Sequence, residues 1–252
     1  MCQPISNCKV SNYLSLICGN LFQGGGIGDA SRERIQIIPT GTTFSIWGVI
    51  YSRLLLFSVS CDIYCNGDAI RLNNLFSESV VYNVNWIKAF TNLDKNSLNE
   101  TFNESFNNII DLRHTLKEIL RIKIRNNDTG FNFKTFRIYY SWVVVATILQ
   151  TDAKNNGVKE SISINELFTR ILEIVKSLKK IRQCTPGLID SGVFLWAISG
   201  IYNEYNDQLT IQQRAKFFNL TSEYPRSKII EQKSISNYIN VCGFFDSCFI
   251  CC

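Results

Sequence analysis

Between residues 98 and 125, apolar side chains return every three or four positions: Phe102, Phe106, Ile109, Leu112, Leu116, Ile119 and Ile122. That period predicts an amphipathic helix. Glu104, Asp111, Arg113, Lys117, Glu118 and Arg121 fill the face between them. Residues 162–181 repeat the pattern, and Lys176, Lys179 and Lys180 fall near the end, where the helix macrodipole favours cations. Three longer stretches are apolar with little periodicity: 42–64 just after Pro39, 134–151 and 188–205. Helices are also expected at 70–92 and, polar in character, at 208–222, with a short apolar segment at 9–22. The stretch "QGGGIGDASRER" is expected to be a loop, because no strand precedes it and its glycines fit neither a P-loop nor a dinucleotide fingerprint. The pattern as a whole predicts an all-α protein, a helical bundle of about seven to eight helices.

The apolar stretches raise the question of membrane spans. A span needs about 20 mostly apolar residues. "IYYSWVVVATIL" reaches only about 18 Å at the helical rise, and "VFLWAISGIY" is shorter. "TTFSIWGVIYSRLLLFSVS" is long enough but carries Arg53. An arginine near a bilayer centre costs about 2.5 kcal/mol or more, so it is expected to meet a carboxylate, a carbonyl or water. Lipid cannot solvate the charged faces of the two amphipathic helices. The expectation is a water-facing or peripheral bundle with its apolar helices inside.

Composition narrows the chemistry. With 252 residues, 46% of them hydrophobic, the chain is long enough for a sizeable core. The net charge of +5 is modest and no basic stripe alternates with aromatics, so nucleic acid is not an expected partner. No secretory leader is visible, so a disulfide framework is not the default for the 10 cysteines. The single histidine, His114, sits one turn from Asp111 on the charged helix, an ordinary surface pair. No catalytic constellation is assigned and no enzyme is expected. Cys61, Cys65, Cys248 and Cys251 could compose a four-thiolate zinc site, but idle thiols are the preferred reading and no metal is assigned.

Four short motifs occur in one order along the chain. "IIPTGTTFSIWGVIY" supplies Pro39, Phe44, Trp47 and Tyr51, "NVNW" supplies Asn83 and Trp86, and "YYSWVVVATILQ" supplies Tyr139, Trp142 and Ala146. "FLWAISGIY" adds Trp196 and Tyr202, so all four tryptophans fall on these motifs. The set resembles the TspO/MBR family of tryptophan-rich sensory proteins, in its longer bacterial-type branch. Gln150 stands where that family usually has Asn. The resemblance implies a TspO-like five-helix core plus two C-terminal helices over residues 1–203, with residues 204–252 as an extension. It also implies a porphyrin or sterol pocket lined by Trp47, Tyr51, Trp86, Tyr139 and Trp142. Without that carry-over, no cofactor is expected and the same rings would simply pack the core.

Two functions follow as expectations. The first is a non-catalytic structural subunit of a larger assembly, such as a virion minor structural protein or an organellar complex subunit. Its partners would be other protein subunits, with possible membrane contact. The second is an integral membrane receptor for a tetrapyrrole or sterol. The tail "CGFFDSCFICC" offers Phe244, Phe245, Phe249, Cys251 and Cys252 as an interaction surface. Docking of these phenylalanines on protein is preferred over lipidation of the terminal cysteines.

Overall fold

The computed structural model describes residues 37–59, 67–91, 98–156 and 162–221. The apolar segment 9–22, the glycine-rich loop, Cys61, Cys65 and the whole Phe/Cys tail lie outside the described residues. Among those described there are seven α-helices and no strand. A 3-10 turn, Gly41–Ser45, leads into α1 (Ile46–Val59). Then follow α2 (Gly67–Thr91), α3 (Leu98–Arg125), α4 (Phe131–Asn156), α5 (Ile164–Cys184), α6 (Ser191–Tyr205) and α7 (Ile211–Thr221). The fold is all-α, as the periodicity predicts.

Local chemistry sets the helix ends. Ser163 caps α5 by accepting from the Glu166 amide at 3.2 Å. Its sequence, Ser-Ile-Asn-Glu, has the spacing of a capping box. Asp190 caps α6 by accepting from the amides of Gly192 and Val193. At the end of α3, Asn127 takes the left-handed conformation at φ 55. Its amide donates to Ile124 O and the Asp128 amide to Lys123 O. This is the Schellman arrangement, with asparagine in the place glycine most often takes.

The helix α4 explains why residues 134–151 show little periodicity. It touches α1, α3, α5 and α6, and side chains from Phe133 to Ala153 are buried around most of its circumference. A helix enclosed on all sides needs no polar face. The helix α1 runs antiparallel to α2 and α4. Phe57 meets Phe76 and Phe136 at 5.1 and 4.9 Å, while Trp47, ten residues earlier, meets Trp86 and Trp142. The bundle therefore has a phenylalanine layer at one end and a tryptophan layer at the other. In the phenylalanine layer Lys123 is buried, with Nζ 2.8 Å from Asp128 and 5.9 Å from the centroids of both Phe57 and Phe136. Arg53 is also buried. Its guanidinium carbon lies 4.3 Å from the Phe131 centroid, a cation–π partner outside the set expected from sequence.

No helix among the described residues is long and apolar enough to cross a membrane. The apolar α1 has 14 residues, which span about 21 Å. The helices α3 and α5 are longer but charged along one face, as their periodicity predicts.

Contacts distant in sequence hold α6 against the start of α1. Thr40 N donates to Gly200 O at 3.1 Å, Ile38 N donates to the Tyr205 hydroxyl at 3.1 Å, and Trp196 Nε1 donates to Thr43 O at 3.0 Å. The approach is close enough that a Cβ on Gly200 would lie 2.0 Å from Thr43 Oγ1 and 2.9 Å from Pro39 Cβ. Gly200→Ala is therefore expected to cost about 1–3 kcal/mol through forced displacement of this segment. Gly187→Ala, where nothing stands within 4 Å of the new carbon, should stay within about 0.5 kcal/mol of the parent. Urea melts of the two variants check this pair, and equal midpoints would show that the crossing tolerates a methyl group.

Candidate functional site

The tryptophan layer is assembled from three helices. The helix α1 presents Trp47 and Tyr51 one turn apart, stacked with centroids 5.3 Å apart and planes 20° apart. On α2, Asn83 and Trp86 share a face, and Trp86 stacks on Phe90 at 5.7 Å. On α4, Tyr139, Trp142, Ala146 and Gln150 recur at three- and four-residue steps along one side. Trp47 is the common member. Its ring lies 5.9 Å from Trp86, 6.1 Å from Tyr139 and 6.5 Å from Trp142, the last two edge to face. Phe44 meets Trp142 edge to face at 6.0 Å. The structure thus gathers Trp47, Tyr51, Trp86, Tyr139 and Trp142 into a single cluster. All are buried except Tyr51, which is partly so.

Its polar atoms distinguish this cluster from an ordinary aromatic core. Trp47 Nε1, Trp86 Nε1, the Tyr139 hydroxyl and both amide atoms of Asn83 are closed off from water and have no hydrogen-bond partner. Both amide atoms of Gln150, two turns beyond Trp142 on the same side of α4, are in the same state. Trp196 shows the usual outcome for such a group, since its Nε1 finds a carbonyl. Burial raises the Tyr139 pKa well above the ordinary tyrosine value, so its phenol stays neutral and remains a donor. Each unmet group costs about 1–3 kcal/mol, and native structures keep such groups to a few. None of these side chains carries a charge. Aromatic rings with a few buried neutral donors and acceptors among them offer both apolar contact and hydrogen bonds to a flat, largely apolar molecule with a small number of polar atoms.

The other candidates do not converge. His114 is exposed on the outer face of α3, as is Asp111. Cys184 is exposed and unbonded, and the remaining cysteines lie outside the described residues. Among the described residues, no group of three or more His, Cys, Asp or Glu side chains could hold a metal ion. The tail residues Phe244, Phe245, Phe249, Cys251 and Cys252 are likewise outside the described residues.

The sequence reading picked the five rings but not the amides. Asn83 appeared only as a motif position and Gln150 only as a departure from one. The missing signal is an absence of partners, which residue spacing does not encode.

The model of a family described as TSPO-like protein matches residues 8–219. No curated protein and no solved structure matches the chain.

Proposed function

The chain belongs to the TSPO-like family, and from that premise we propose that it is a non-catalytic binding protein whose tryptophan layer receives a flat, uncharged or weakly charged ligand. A tetrapyrrole or a sterol is the class that the family resemblance implies. The supporting observation is the set of buried polar atoms without partners on Trp47, Asn83, Trp86, Tyr139 and Gln150. A ligand offering N–H, O–H or carbonyl groups would satisfy them, while the rings supply the apolar contact. The same atoms are shut away from water, so entry requires the rings to part. Residues 38–43, clasped by α6, adjoin Phe44, whose ring lies against Trp142.

Titration with protoporphyrin IX and, separately, cholesterol tests the proposal through quenching of tryptophan fluorescence. Trp86 and Trp142 lie 5.9 and 6.5 Å from Trp47, so a molecule inserted beside Trp47 should perturb all three together. Saturable quenching that is lost in Tyr139→Phe is the expected result. Quenching that is linear in ligand, or unchanged by that substitution, would contradict it.

The second reading is a subunit of a larger assembly, of the virion or organellar kind. It is supported by large apolar side chains left on outer helix faces, among them Val81, Ile164 and Ile211, which an adjoining subunit would cover. Native mass determination on material from the source distinguishes it, since a solitary chain would rule this reading out.

A further inference from the structure

We propose that Tyr51 is the lid of the tryptophan layer, and that a ligand enters past it from the outer face of α1, beside Gly48. This route presupposes the binding role proposed above. Burial within the cluster is graded. Tyr51 is partly exposed, while Trp47 is 8% exposed, Trp86 4%, Trp142 2% and Tyr139 1%. The gradient starts on α1 and ends on α4, so the cluster comes nearest to water at Tyr51. The Tyr51 ring lies nearly flat on Trp47, with centroids 5.3 Å apart and planes 20° apart. It is also near enough to Tyr139 to push that phenol further up, second to burial. Tyr51 therefore stands between solvent and both the central indole and the most deeply buried hydroxyl of the cluster.

The ground outside Tyr51 is open and uncharged. Gly48, three positions before it, and Leu55, four after it, lie on the same side of the helix. Gly48 is exposed, and a Cβ added there would meet nothing within 4 Å. Leu55 is 43% exposed and offers apolar contact to an arriving molecule. Ser52 and Leu56 continue this exposed face, and the one charged residue of α1, Arg53, is buried. A flat uncharged molecule meets no ionic group on α1 that it would have to desolvate. Phe44 is the other half-buried ring in contact with the layer, against Trp142. The way past it is closed by the three hydrogen bonds that hold residues 38–43 to α6. Opening there breaks those bonds, whereas opening at Tyr51 needs a rotamer change of one side chain. A side chain displaced on both entry and exit governs the two rates more than the affinity.

Stopped-flow mixing of the full chain with protoporphyrin IX dimethyl ester, a flat tetrapyrrole with its carboxyls masked, tests the route through tryptophan fluorescence. Tyr51→Ala should speed association and dissociation by at least about fivefold each, with a smaller change in their ratio. Gly48→Leu sets a branched side chain beside the lid, at an exposed position with room for it, and should slow both. Tyr205→Phe removes the hydroxyl that accepts from Ile38 N, and should leave both rates as in the parent. In the ligand-free chain, acrylamide quenching of tryptophan should rise in Tyr51→Ala and fall in Gly48→Leu. Saturable binding with rates unchanged in Tyr51→Ala and Gly48→Leu, or raised by Tyr205→Phe, would overturn the lid and leave the binding role standing. No saturable binding by the parent would overturn the binding role and the lid with it.

Discussion

Trp47→Ala should lower the folding free energy by about 3–5 kcal/mol, the range for removing a large buried ring. Trp47 is the common neighbour of Tyr51, Trp86, Tyr139 and Trp142. Its loss therefore opens a cavity that three helices must collapse together to fill. Trp142→Ala should cost a similar amount, because the Trp142 ring also supports Phe44 at the entry to α1. Lys180→Ala, on the exposed face of α5, should change stability by no more than about 0.5 kcal/mol. Trp47→Phe is the informative intermediate. It leaves a smaller void and removes an indole N–H that has no partner, so it should cost clearly less than the alanine. Chemical denaturation of the four variants checks the ranking. Small and equal effects throughout would show that the core has been misplaced.

Breaking the ion pair between α4 and α5 should be as damaging. Arg170 Nη2 and Nε donate to the two Asp152 oxygens at 2.5 and 3.2 Å; the Arg170 side chain is buried and that of Asp152 is 9% exposed. Asp152 also accepts from Asn156 Nδ2 at 3.1 Å. Removing one partner leaves a guanidinium or a carboxylate buried without its counter-charge, at a cost of about 3–5 kcal/mol. Asp152→Ala and Arg170→Ala should both fall in that range. Replacing the pair together, as Asp152→Leu with Arg170→Met, removes both desolvation costs and should recover most of the loss. A double variant no better than the singles would contradict this account of the pair.

Much of the fold was legible in the sequence because helical period reports which side of a helix is buried. Ile109, Leu112, Leu116, Ile119 and Ile122 are all in the core, as their spacing requires. The enclosed α4 was legible by its lack of a polar face. Period does not report which faces meet. The clasp of α6 on Ile38–Thr43 joins positions 167 residues apart at its Tyr205 contact, and no local pattern foretells it. Asp152 and Arg170 look like surface residues in isolation, and Lys123 lies in a run where cations alternate with isoleucines. Each is drawn inward with a partner that sits on another turn or another helix. The convergence of Trp47, Tyr51, Trp86, Tyr139 and Trp142 was legible through family motifs rather than through periodicity. The unmet polar atoms that give the cluster its chemical meaning were not legible at all. Satisfaction of a hydrogen bond is a property of the packed neighbourhood, not of the residue.

Those atoms also provide the most direct test of whether the cluster is a binding site or only a core. If Asn83 and Tyr139 are kept for a ligand, they burden the free protein. Asn83→Leu and Tyr139→Phe remove buried groups that have no partner, which should stabilise the ligand-free chain by roughly 1–3 kcal/mol each where the new side chain fits. The same substitutions should abolish saturable binding of protoporphyrin IX or cholesterol. The measurement is a denaturant melt of the double variant beside a ligand titration of the same sample. A free protein more stable than the parent and deaf to ligand is the predicted result. A destabilised variant, or one that binds as the parent does, would contradict a binding role for the tryptophan layer.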